Sequence, residues 1–69
     1  MTTQLPKNKI QSFLFNGQMI HYVLYDTHRE ELAFFTENNE LHATIQSGFN
    51  TPTSFDEVAE RFGDYDGTN

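Results

Sequence analysis

Two stretches of this chain carry apolar side chains at every second position or more densely, and a third carries them at helical spacing. The first, IQSFLFNGQMIHYVLY, spans residues 10–25 and turns back at Asn16-Gly17. Asn and Gly both tolerate the positive φ of a type I′ turn, so the pair predicts a hairpin of strands 10–15 and 18–25. A two-residue turn sets the register: Phe15 faces Gln18, Leu14 faces Met19, Phe13 faces Ile20, and so on to Ile10 with Val23. Side chains of a strand alternate between faces. Phe13, Phe15, Ile20, Tyr22 and Leu24 therefore share one face, and Ile10, Leu14, Met19, Val23 and Tyr25 share the other. Neither is an ordinary solvent face.

The second stretch predicts strands 31–37 and 40–47 around Asn38-Asn39. A tight turn there places Leu32 opposite Ile45, Phe34 opposite Ala43 and Thr36 opposite Leu41 on an apolar face. The other face carries Glu31 with Gln46, Ala33 with Thr44, Phe35 with His42, and Glu37 with Glu40, the pattern of an antiparallel sheet with one solvated side. Glu37 facing Glu40 is repulsive, which favours a four-residue loop in place of the two-residue turn.

The third stretch is helical. Ser54-Phe55-Asp56-Glu57 fits a capping box, and Phe55, Val58, Ala59 and Phe62 recur at i, i+3, i+4 and i+7. Asp56 and Glu57 at its start and Arg61 at its end suit the helix dipole. Gly63 is placed to close the helix in the left-handed conformation.

These elements predict an α+β fold: a small four-stranded antiparallel β-meander followed by one C-terminal amphipathic α-helix. Residues 10–63 form the single domain, preceded by a flexible N-terminus over 1–9 and followed by an acidic C-terminal tail over 64–69. Four helical apolar residues cover only part of one sheet face, most economically that of Leu32, Phe34 and Ile45. The second hairpin face then stays open. Leu14, Met19, Val23 and Tyr25 are the expected partner-binding residues on it, being of the apolar and aromatic types that interface cores favour.

Charge sharpens this picture. The formal net charge is −6, but residues 1–25 carry Lys7 and Lys9 and no acid, while 26–69 carry all ten acids against Arg29 and Arg61. Such a balance argues against direct nucleic-acid binding, which depends on Lys and Arg neutralising phosphates, and against anionic membrane surfaces. It favours a basic protein partner, although acidity also serves solubility alone. Asp56, Glu57, Glu60, Asp64 and Asp66 form the expected acidic partner-binding surface. There is no cysteine, hence no disulfide and no thiolate metal site. No apolar run approaches the roughly 20 residues of a membrane span, and the opening residues carry no signal-peptide pattern, so a soluble cytoplasmic protein is expected.

Catalytic and cofactor chemistry finds no support. His21, His28 and His42 lack the spacing of a metal site, and His21 facing Ser12 and His42 facing Phe35 are expected as ordinary cross-strand pairs. Asp64-Tyr65-Asp66-Gly67-Thr68 resembles the start of an EF-hand calcium loop, but its glycine comes early and no bidentate Glu follows. It also resembles the DxDGT nucleophile motif of haloacid-dehalogenase phosphatases, yet it follows a helix where that motif follows a buried strand. No cofactor, no metal and no enzymatic activity are expected.

The function that follows is a small acidic protein-binding module. It would inhibit or regulate a larger protein, with one that handles nucleic acid favoured, through an acidic surface imitating nucleic-acid phosphates in the manner of phage or mobile-element inhibitors. The alternative is an accessory or structural subunit whose hairpin face is an obligate homo- or hetero-oligomer interface, a homodimer included.

Overall fold

A computed structural model describes residues 1–48 and 51–63 of the chain. The elements are β1 (Thr2–Gln4), β2 (Phe13–Phe15), β3 (Gln18–Ile20), β4 (Tyr22–Asp26), β5 (Glu31–Phe35), β6 (Leu41–Gln46) and α1 (Phe55–Phe62). One antiparallel sheet has the order β1-β4-β5-β6, and β2 and β3 make a separate two-stranded sheet. The α+β class, the four-stranded antiparallel sheet and the C-terminal helix are as the sequence predicts. The membership of the sheet is not.

The predicted strand 18–25 is broken at His21, whose backbone N–H donates to the Phe35 carbonyl (2.8 Å). In an unbroken strand Ile20 and Val23, an odd number of residues apart, would point to opposite faces. Here both are completely buried. The break lets the β2–β3 hairpin leave the plane of the sheet and fold across it. Phe13 and Phe15 then meet Phe34 of β5 edge-on, with ring centroids 5.6 and 4.9 Å apart. Lying over the core buries the Phe13 and Ile20 face of the hairpin and leaves Leu14 and Met19 on its outer side. Its local geometry is the predicted one: Asn16 (φ 54°) and Gly17 (φ 79°) form the turn, and Phe15 pairs with Gln18, Leu14 with Met19 and Phe13 with Ile20.

The place beside β4 is taken by the chain's own start. Residues 1–9, expected as a flexible lead-in, supply β1, with Thr2 against Asp26, Thr3 against Tyr25 and Gln4 against Leu24. Leu5 follows, bonding its N–H to the Val23 carbonyl (3.0 Å) and burying its side chain in the core. The segment lacks periodicity because a three-residue edge strand is too short to show any.

The second hairpin also departs from its predicted register. Thr36 N–H donates to the Glu40 carbonyl and Asn39 N–H to the Thr36 carbonyl, both at 3.0 Å. A β-bulge between Phe34 and Phe35 then pairs Phe35 with Leu41, not Thr36 with Leu41. The wider turn keeps Glu37 and Glu40 from facing each other, but three residues, 37–39, lie within the Thr36–Glu40 bond and not the four expected.

Ser54 caps α1 by accepting the Glu57 N–H (3.1 Å). The Glu57 carboxylate reaches back to the Thr53 N–H (3.1 Å), one residue before the expected partner. Phe55, Val58 and Ala59 are buried, and Phe62 meets Phe34 (6.3 Å). The helix therefore lies on the predicted side. Gly63 is not left-handed: it is extended (φ −63°, ψ 148°) and donates its N–H to the Ala59 carbonyl. Glycine is needed there for a different reason. A Cβ would overlap the Ala59 carbonyl oxygen and press on the Phe13 ring.

Asp56 ties helix to N-terminal segment. Its carboxylate accepts backbone N–H groups from Asn8 (2.8 Å), Lys9 (2.9 Å) and Ile10 (3.0 Å). The bonds from Asn8 and Ile10 are the strongest of the influences that hold its pKa below the ordinary value, against partial desolvation.

Candidate interaction face

Helix and hairpin both cover one side of the sheet. The other side can be read from the register, because directly paired residues share a face. Tyr22, Phe35 and Leu41 form one row across β4, β5 and β6. Leu24, Ala33 and Thr44 form the next, with Gln4 beside Leu24. Asp26, Glu31 and Gln46 form the last. None of these belongs to the core cluster. The Tyr22 and Phe35 rings stack in parallel, 4.8 Å between centroids and 1° between planes. Leu41 is 57% exposed.

The bulge makes this band. With the predicted turn Leu41 would sit on the core side, opposite Thr36. The extra residue in β6 turns it out beside Phe35 instead, and Thr36 is buried on the core side. Re-aiming a side chain is a recognised consequence of a bulge.

Carboxylates bracket the band. At one end Asp26 and Glu31 stand directly opposite each other. Asp26 accepts the Arg29 and His28 backbone N–H groups (3.2 and 2.9 Å), and the Arg29 bond leads in keeping its pKa below the ordinary value. At the other end Glu37, 71% exposed along its side chain, lies 3.3 Å from the His21 imidazole. A narrow apolar and aromatic strip thus runs between two acidic ends.

The four hairpin residues expected to bind a partner are not brought together. Leu14 and Met19 remain a pair on the outer side of the β2–β3 hairpin, with Met19 44% exposed. Val23 is completely buried. Tyr25 packs against the core, and its hydroxyl accepts a hydrogen bond from the Thr51 hydroxyl (3.3 Å). The break at His21 is the cause, since it reverses the face on which everything after it falls. The acidic set is divided as well. Asp56 is engaged by backbone N–H groups, Glu57 pairs with Arg61 (2.7 Å), and Glu60 is exposed. Asp64 and Asp66, with the rest of the Asp64–Thr68 motif, lie outside the described residues.

The histidines are scattered. His21 contacts Glu37, His28 is in the turn after β4, and His42 lies edge-on to Phe15 (6.3 Å), not across from Phe35. Among the described residues no group of three His, Asp or Glu side chains could hold a metal ion. No described helix is long and apolar enough to cross a membrane.

Sequence reasoning passed over Tyr22, Phe35 and Leu41. The signal within reach was Phe35 itself, a large aromatic on a face otherwise read as polar. Comparison of the chain with protein-family models, curated proteins and solved structures yields no match.

Proposed function

We propose that this protein is a small protein-binding module that docks through the open face of its sheet. Its partner would present apolar side chains flanked by Lys or Arg. The observation that carries this reading is the Tyr22–Phe35–Leu41 strip set between carboxylates. Aromatic and aliphatic residues supply contact area, and a charged rim supplies orientation and a faster encounter. A net charge of −6 favours a basic partner over the whole surface. The basic groove of a nucleic-acid-handling protein is one such surface, and occupying it would make this chain an inhibitor or regulator. The helix contributes less to that charge than its sequence suggests, because Asp56 and Glu57 are spent on internal contacts.

The test is capture from a lysate of the native host on immobilised protein, comparing the native chain with a Tyr22→Ser, Leu41→Asp double variant. A specific partner should bind the variant about thirtyfold more weakly, equivalent to about 2 kcal/mol at a central contact. Its retention by the native chain should fall as salt rises. Equal retention by both proteins, with the variant folded, would exclude this face.

A further inference from the structure

The strand β6 ends the sheet, and among the described residues nothing pairs with its outer side. The direction of its backbone groups follows from one bond. Ser47 N–H donates to the Glu30 carbonyl (2.9 Å), so Ser47, Ile45 and Ala43 turn their backbone toward β5. Thr44 and Gln46 therefore turn theirs outward. Exposed edges are normally guarded by charge, proline or a bulge. Leu41–Gln46 contains no charged residue and no proline, and its bulge is confined to the His42 end. Among the described residues the remainder of the edge is regular and unguarded. Ile45, pointing to the core side, is only half-buried there.

We propose that two copies of this chain pair antiparallel through β6, with the two-fold axis at Ile45. Thr44 of each copy then stands opposite Gln46 of the other, and each such pair exchanges two N–H···O=C hydrogen bonds. Ile45 meets Ile45 of the second copy at the closely spaced position between them, which completes the burial that a single chain leaves unfinished. The charge of the strand itself does not oppose a second copy, and the half-buried Ile45 is self-complementary at this axis. The strand is neutral, and this axis puts the two Glu40 side chains at opposite ends, each past Gly48 of the other copy. The net charge then acts mainly from beyond the contact, where salt screens it over about 8 Å. The result is one eight-stranded sheet made from two of four, with both Tyr22–Phe35–Leu41 strips on the same side. The pairing is independent of what those strips bind.

Sedimentation velocity of the full chain over a concentration series tests it, alongside Thr44→Pro. Because the Thr44 N–H points away from β5, proline there removes the outward donor and spares the β5–β6 ladder. The native chain should sediment as a dimer that dissociates on dilution, and Thr44→Pro as a folded monomer. Hydrogen exchange on the native chain gives a readout that does not depend on the variant folding. The Thr44 and Gln46 amides should be protected at high concentration and lose that protection on dilution. A native chain that stays monomeric, a dimer that survives Thr44→Pro, or a dimer in which those two amides exchange unprotected would each overturn the pairing. Strand addition by a different protein belongs to the first of these outcomes.

Discussion

Phe34 and Phe35 are adjacent and chemically identical, and they lie on opposite sides of the same strand. Phe34 is completely buried, with Phe13, Phe15 and Phe62 around its ring. Among the described residues Phe35 has one ring partner, Tyr22, and it stays half-exposed on the open face. The difference teaches where this molecule spends its apolar surface. A chain of this length has little apolar surface to spare for a second layer. Among the described residues a hairpin and a helix lie on one side, and the other carries a single stacked pair between acidic ends.

The comparison can be broken most decisively at Phe34. Phe34→Ala removes the ring at the centre of the core and should cost about 3–5 kcal/mol. That is most of the margin of a domain this small, where about 0.05–0.15 kcal/mol per residue is usual. Chemical denaturation should show the unfolding midpoint of the variant shifted far toward zero denaturant. Phe35→Ala, one position along, should cost under about 1.5 kcal/mol, the scale of one aromatic pair. It should leave a folded protein that has lost partner binding. If the two substitutions cost the same, the open face is part of the core and the contrast is false.

The cover on the core side can be loosened as well. Ser54→Ala removes the helix N-cap and should lower stability by about 1 kcal/mol, visible as a fall in Tm. Asp56 fastens that helix to residues 8–10, and its depressed pKa gives the sign of a pH effect. The stabilisation is fully present above the ordinary carboxylate pKa of about 3.9 and is lost as pH falls through the lower folded value. Asp56→Asn should therefore lower Tm at neutral pH and flatten its decline in acid. A variant whose Tm follows the native curve through acid would show that this carboxylate does not hold the two segments together.

Much of the fold was legible from short-range chemistry. Asn16-Gly17 announced its turn, and the register next to it was correct to the residue. The Ser54 cap and the stripe of Phe55, Val58, Ala59 and Phe62 announced the helix. Such signals depend on neighbours within about one helical turn or one tight loop. The interaction face was legible only as an isolated oddity at Phe35. Its position depends on two one-residue adjustments, the break at His21 and the bulge in β6, and a shift of one residue changes the face of every side chain beyond it.

The sequence by itself therefore determined the class of fold, the Asn16-Gly17 turn with its register, the helix and its apolar stripe, and the acidic charge of the second half. Tertiary structure decided which strands share the sheet, that the chain's start becomes an edge strand, and that Leu41 joins Tyr22 and Phe35 while Val23 is buried. The reason is energetic. Interrupting a strand at His21 gives up regular pairing locally, and this is offset by burying Ile20, Phe13 and Phe15 against side chains far away in the chain. That balance cannot be drawn from any single stretch, because its favourable half exists only once the helix and β5 are in place.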